Sequence, residues 1–388
     1  MSNSSSTDKI GSVTTVYDSY AEKQLLAALM SLISIVGVIG NSAVLLAVVL
    51  SRKPRTTTNI FVVNLAVADL ITCLSLPIMV LALLSDSREK LLVPDNLCAL
   101  QGFVFIVCIG CSLNNIATTA FYRAVITRRK NMRRPIWFFN RRGLATIIAT
   151  TWLIPLVVGL LPIISEFGSY GYDDKLSTCS YSPTAKGSAT FSRIMSAALY
   201  PVQLIVTFTS YAVVFYTVRQ HVRRVNAAPG QPIALVGGAM RLPLQPGAPM
   251  RPHPLAIQVT TSSSQEQVLA TNQLQSNHPP SIARQPAPAR RQLRRKIDVN
   301  LTLFLVVFFF IICVSPYLVL VLLLEDKSQK IVSFFGALIV SNSCINPVIY
   351  TARHPDFKTV IRCILLCRLN KIPLKSSFLM SLLSAQGE

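Results

Sequence analysis

Asp69 stands in the middle of the apolar run Ile60 to Leu84, and Arg123 follows the apolar run Leu97 to Thr119 by about one helical turn. An ionised carboxylate at mid-depth in hydrocarbon costs about 2.5–3.5 kcal/mol on insertion scales, so such a group needs polar partners and is a functional hypothesis by default. The chemistry open to it is exchange of a proton or a cation. An arginine just past an apolar run can hold its charge at the level of the lipid headgroups. Covalent catalysis has no comparable support: His221, His253, His278 and His354 are scattered outside the apolar runs, and no nucleophile–base pair or metal-ligand spacing accompanies them. The chain is therefore expected not to be an enzyme.

The elements that position these two residues follow from composition. Of 388 residues, 51% are hydrophobic and only 14% charged, yet 37 Lys and Arg outweigh 16 Asp and Glu for a net charge of +21; mean hydropathy is +0.50. A soluble domain carries about 25% charged residues. A nucleic-acid binder would spread many more charges over a polar surface, and a disordered chain would be far less apolar. Crossing a bilayer core takes about 20 apolar residues in a helix. Seven runs of that length occur, approximately Leu25 to Leu50, Ile60 to Leu84, Leu97 to Thr119, Leu144 to Ile164, Phe191 to Val218, Leu301 to Leu324 and Ile331 to Tyr350. Pro77, Pro155, Pro201, Pro316 and Pro347 lie within them, which neighbouring helices in a membrane bundle can accommodate. The expected fold is an all-α bundle of seven transmembrane helices.

Lys and Arg concentrate in the connections after runs one, three and five and after run seven, while the acids favour the opposite side. The positive-inside rule then places the N-terminus outside and the C-terminus in the cytoplasm. Residues 1–22 are polar with no apolar signal region, so run one is expected to be its own insertion signal. Residues 23–353 form the bundle, and 354–388 an amphipathic helix and tail. Within the bundle, 225–297 is rich in Pro, Ala, Gln and Ser and is expected to be a disordered cytoplasmic loop whose basic ends continue the helices. Only Cys98 and Cys179 fall near the outer face, where pairing is the economical expectation. Asn3-Ser4-Ser5 is an outer glycosylation sequon.

Span one carries Gly40-Asn41-Ser42, span two Asn64-Leu65-Ala66-Val67-Ala68-Asp69, span four Trp152 and Pro162, and span five Pro201. Span six carries Phe310, Cys313 and Pro316, and span seven Asn346-Pro347-Val348-Ile349-Tyr350. With Cys98 placed 25 residues before Arg123, this ordered set resembles the rhodopsin-like G-protein-coupled receptors across about Leu25 to Cys367. The ending Asn-Pro-Val-Ile-Tyr with a following Arg-His-Pro looks like the melatonin-like and orphan invertebrate members. The resemblance implies a plasma-membrane receptor that passes an extracellular signal to a heterotrimeric G protein, with arrestin and receptor kinases as further partners. It implies no organic cofactor, but a water-filled and often sodium-binding cluster in which Asn41, Ser112, Asn342, Ser343 and Asn346 gather around Asp69.

The same resemblance implies that Tyr122, Arg123, Asn346, Pro347 and Tyr350 carry coupling and activation. Here the chain departs from the family. The triplet reads Tyr122-Arg123-Ala124, with Tyr in place of the usual acid, and Lys296 occupies the acidic position at the base of span six. A weak resting restraint and raised basal activity are expected, with Lys296 repelling Arg123. Val314 replaces the usual tryptophan before Pro316, and Thr209 stands where a tyrosine partner for Tyr350 is expected, with Tyr211 two residues later.

Phe105 occupies the place of the amine-binding aspartate and Val340 that of the retinal lysine, so neither a cationic amine nor retinal is expected. Phe103, Phe105, Ile109, Tyr200, Gln203, Tyr317 and Phe335 are expected to line an apolar pocket suited to a lipid or weakly polar ligand, though acids in the loop from Ile163 to Ser192 would also suit a peptide. After Tyr350, His354 to Cys367 has the pattern of an amphipathic helix on the inner leaflet, with Cys363 and Cys367 as acylation sites on one face. Two rival readings remain: a transporter or channel, which would favour internal repeats and several mid-membrane charges, and a receptor-like scaffold that no longer signals.

Overall fold

The computed structural model describes residues 15–128, 140–164, 168–181, 201–227, 287–323 and 329–385. Asn3 and Tyr200 lie outside them. Among the described residues, seven helices are long and apolar enough to cross a membrane: α1 Tyr20–Leu50, α2 Asn59–Leu83, α3 Asp95–Arg128, α4 Arg141–Ile164, α5 Pro201–Ala227, α6 Ala287–Leu323 and α7 Gln329–Arg353. Several outrun the apolar runs that announce them. The 34 residues of α3 span about 50 Å at 1.5 Å per residue, more than the hydrocarbon core, so its charged last turn stands in the interfacial region. The expected disordered loop 225–297 is corrected at both ends: 225–227 close α5 and 287–297 open α6. Between these ends, 228–286 lie outside the described residues.

Each helix divides into a packed and an exposed face. On α1, Leu26, Met30, Ile33, Val44 and Ala47 are buried, whereas Leu25, Leu32, Ile39 and Leu46, at heptad spacing, are exposed. An apolar stripe of that extent is unfavourable in water and is the expected surface against lipid. Small residues bring the helices together. A Cβ added to Gly40 would lie 2.6 Å from Pro347 Cγ, so α1 and α7 meet at a distance only glycine permits.

Outside the bundle, strands β1 (Tyr170–Asp173) and β2 (Thr178–Tyr181) form an antiparallel hairpin with Tyr172 opposite Cys179. The Asp173 carboxylate accepts hydrogen bonds from the backbone N–H groups of Lys175 and Leu176, closing the turn. Cys179 is bonded to Cys98, as the outer-face reading expected, which fastens the hairpin to the first turn of α3. Val16 N–H donates to Lys175 O at 3.1 Å and Tyr17 Oη to Leu176 O at 3.1 Å, so the segment before α1 lies against the hairpin tip.

After α7 the chain turns at His354–Phe357 and forms α8 (Lys358–Leu365). This is shorter than the expected His354 to Cys367 helix, because Pro355 disfavours helical geometry at His354 and Cys367 adopts φ +53°. Beyond α8 the chain is folded rather than a loose tail. A 3₁₀ turn at Leu369–Lys371 leads to an extended segment bridged to Ser51, and then to α9 (Ser377–Ala385).

Candidate functional site: a polar axis through the bundle

At mid-bundle, Asp69 is fully buried. Ser112 Oγ from α3 donates to its Oδ1 at 3.2 Å, and Asn346 Nδ2 from α7 to its Oδ2 at 2.8 Å; the Ser343 hydroxyl also faces it. Asn41 plays a different part from the one expected. Its Nδ2 donates to Gly37 O and Ser343 O, both at 2.9 Å, so it bonds α1 to the α7 backbone rather than to Asp69. Asn342 is buried as well. The side-chain oxygens of Asn41, Asn342 and Asn346 have no hydrogen-bond partner. Buried unpaired acceptors of this kind call for water or an ion, and a carboxylate with several neutral oxygens fits a hard monovalent cation. Sodium would be held by Asp69 together with such oxygens.

A second polar group ties α2, α3, α4 and α5. Trp152 Nε1 donates to Asn64 Oδ1 at 2.8 Å, while Asn64 Nδ2 donates to Asn115 Oδ1 at 2.9 Å and Thr151 Oγ1 at 3.1 Å. Gln203 Nε2 donates to Asn114 Oδ1 at 2.7 Å. Gln203 therefore joins α5 to α3, a contact the pocket reading did not foresee.

Toward the C-terminal end of α3 the axis reaches Arg123. Its Nη1 donates to Asn300 Oδ1 at 2.8 Å, and its Nε has no partner. The restraint between α3 and α6 is thus a neutral amide one turn beyond Lys296, whose side chain lies outside the described residues. Tyr122 is buried against Phe61, with ring centroids 5.0 Å apart. Asp356, in the turn between α7 and α8, forms an ion pair with Arg295 of α6 rather than with Arg123 and accepts a hydrogen bond from Asn59 Nδ2 at 3.1 Å.

His354 lies beneath this pair, fully buried, with its ring 5.1 Å from Phe357 and 6.0 Å from Tyr350. Burial pushes its imidazole down to about 4 in spite of nearby Asp356. A depressed folded value means that the unfolded chain binds the extra proton first. The stability His354 contributes is complete above about pH 6.5 and is lost as the pH falls toward 4. Lowering the pH from 7.5 to 5 should destabilise the protein by at most about 2 kcal/mol through this group. Thermal unfolding in detergent checks it, with His354→Gln expected to lose less stability over the same interval.

Tyr350 and Tyr211 line one narrow apolar cavity together with Asn115 and Thr119. Thr209, the expected partner position, is exposed on α5. The inward face of α5 runs through Gln203, Thr207, Ser210, Tyr211 and Val214, a 3.6-residue periodicity that identifies Tyr211 where counting from Pro201 does not.

The pocket candidates do not share one face. Phe103 meets Tyr170 edge-on at 5.8 Å near Gly159 of α4. Phe105 packs with Ile33, Leu76 and Val340, and Ile109 lies against the larger inner core. Phe335 is half-buried on α7, and the side chain of Tyr317 lies outside the described residues. Sequence reasoning missed Gln101. It is buried, with neither amide atom hydrogen-bonded, and its spacing from Cys98 and Phe105 places it on their helix face. Val340 and Val314 are buried in apolar clusters. Cys363 is half-buried against the core, while Cys367 is exposed beyond the end of α8. The two thiols therefore do not share the helical face expected of them.

A family model described as "7 transmembrane receptor (rhodopsin family)" matches residues 40–350. The G-protein coupled receptor moody of Drosophila melanogaster is 27% identical over 357 residues, covering 88% of this chain and 51% of that protein. The chain thus spans about half the length of its moody relatives. Melatonin receptor type 1B-A of Danio rerio is 30% identical over 185 residues, 47% of this chain and 62% of that receptor. The 5-hydroxytryptamine receptor 1F of Rattus norvegicus is 25% identical over 343 residues, 84% and 89% of the two chains. The crystal structure of squid rhodopsin superposes with a TM-score of 0.67 at 17% identity, covering 95% of this chain and 91% of that one.

Proposed function

Because the chain belongs to the rhodopsin family of seven-transmembrane receptors, we propose that it passes an extracellular signal to a heterotrimeric G protein at the plasma membrane, with its N-terminus outside. The observation that carries this reading is Arg123. It stands at the inner end of α3, its fork of donors held by the neutral amide of Asn300 on α6, beside the cavity lined by Tyr211 and Tyr350. An amide holds a guanidinium less tightly than a carboxylate does. Outward movement of α6 therefore frees the donors for a partner at low cost, which also supports raised basal activity. Ligand binding biases this movement as a population shift. Arrestin and receptor kinases are further partners on the same inner face.

The ligand is non-aminergic and weakly polar or lipid-like. One relative is named for 5-hydroxytryptamine, but Phe105 offers its ammonium group no counter-ion and is packed among Ile33, Leu76 and Val340. Sodium acts as an allosteric ligand at Asp69 and stabilises the resting arrangement. In reconstituted receptor, sodium should slow ligand-free nucleotide exchange relative to choline, and Asp69→Asn should remove that difference; an unchanged sodium response speaks against the site.

The deciding experiment is nucleotide exchange on a panel of purified G proteins. Exchange above the receptor-free rate that disappears in Arg123→Ala is the expected result. No exchange on any G protein identifies a scaffold, and solute flux in the same vesicles identifies a transporter.

A further inference from the structure

The segment after α8 has the chemistry of a membrane anchor in its own right. It is fixed to the C-terminal end of α1: Arg52 N–H donates to Leu374 O at 2.8 Å, Ser376 N–H to Leu50 O at 3.0 Å, and Ser51 Oγ to Pro373 O at 2.6 Å. Ile372 and Leu379 are buried in the same core as Ala47, Leu50, Val360 and Ile361. On α9 the packed residues Leu379 and Leu383 oppose a stripe of Ser377, Ser381 and Ser384. Phe378 and Leu382 occupy one flank, with Phe378 56% exposed and Leu374 just before it 67% exposed. No charged residue lies between Ser376 and Gly387, and no acid between Lys358 and Gly387, whereas Lys358, Arg362, Arg368, Lys371 and Lys375 precede α9.

We propose that the extended segment and α9 prolong the inner-leaflet seat expected of α8, with Leu374, Phe378 and Leu382 entering the acyl region and Arg368, Lys371 and Lys375 engaging anionic phospholipid headgroups. The occupant is the bilayer for two reasons. The exposed apolar residues are hydrogen-bonded through Leu374 and Ser376 to the end of α1, where Leu46 and Val49 are also exposed, and the adjoining charge is of one sign, opposite to that of an anionic leaflet. An interfacial helix combines these two features. The side of the cell membrane rests on the orientation proposed above, but the leaflet contact itself can be measured without it.

The test uses full-length receptor reconstituted in vesicles of phosphatidylcholine and phosphatidylserine whose acyl chains carry bromine, a quencher of tryptophan emission. Phe378→Trp should lose most of its added emission relative to unbrominated vesicles, and Ser384→Trp should lose little. Brominated phosphatidylserine should quench Phe378→Trp more than brominated phosphatidylcholine does. Equal quenching of the two variants overturns the prolonged seat, and equal quenching by the two headgroups overturns its anionic preference. Shielding of Phe378→Trp that grows with the receptor-to-lipid ratio identifies a second copy of the chain as the occupant, which also overturns the proposal.

Discussion

Asp356→Asn should raise ligand-free nucleotide exchange by about fivefold, because it removes the charge that ties α6 to the turn before α8. Arg295 is 55% exposed while Asp356 is 5% exposed, so solvent screens the pair and its contribution is about 1 kcal/mol rather than that of a buried bridge. That free energy corresponds to roughly a fivefold change in the ratio of closed to open α6. Activity follows that ratio while the open state is the minor one. The asparagine side chain retains an oxygen for the hydrogen bond from Asn59, so the effect reports the charge. Arg295→Gln should match it, and the double variant should exceed neither single variant, the signature of one shared interaction. Unchanged basal exchange in Asp356→Asn would show that the pair does not hold the resting state.

Cys98→Ser or Cys179→Ser should cost about 2–5 kcal/mol, the usual range for a native disulfide. The bond joins residues separated by 81 positions and holds a hairpin that is also fastened by the hydrogen bond of Tyr170 Oη to Gly159 O at 2.7 Å and by burial of Tyr172 in one cluster with Leu26 and Met79. Surface staining of cells should fall to a small fraction of the parent's, and the detergent-solubilised protein should unfold at lower temperature. The double variant should resemble each single one, since the bond is lost only once. Normal surface density with normal thermal stability would contradict this.

The seven spans are legible in the sequence because apolar length is a local signal, whereas the Asp69 partners Ser112 and Asn346 are reached only through the family resemblance, since they lie on other helices. Asn41 illustrates the limit. Depth places it near Asp69, but only helix rotation decides that its amide reaches the Ser343 carbonyl instead. Counting from Pro201 misses Tyr211, whereas the periodicity of Gln203, Thr207 and Val214 contains the answer. Asn300 and Asp356 are not legible as restraints, because both are polar residues at an interface where polar residues are common. Their meaning depends on which one comes within reach of Arg123 or Arg295. The fold of residues 372–385 is hidden for a different reason. Its helix is too short to produce a transmembrane signal, and its hydrogen bonds run to the end of α1, 322 residues earlier in the chain.

That distance has a consequence for biogenesis. At about 5–20 residues per second, the ribosome needs roughly 15 to 65 seconds after making Ser51 to deliver the residues that bond to it. Asn41 likewise waits for the α7 backbone and Asp69 for Asn346. The first span is therefore inserted with polar groups at its C-terminal end unpaired, and its assembly is completed by residues 322 positions later in the chain. A nascent receptor halted before Ile372 lacks the closing segment of its first helix. Quality control that recognises exposed polar groups or bare apolar surface near Leu50 would thereby distinguish finished chains from interrupted ones.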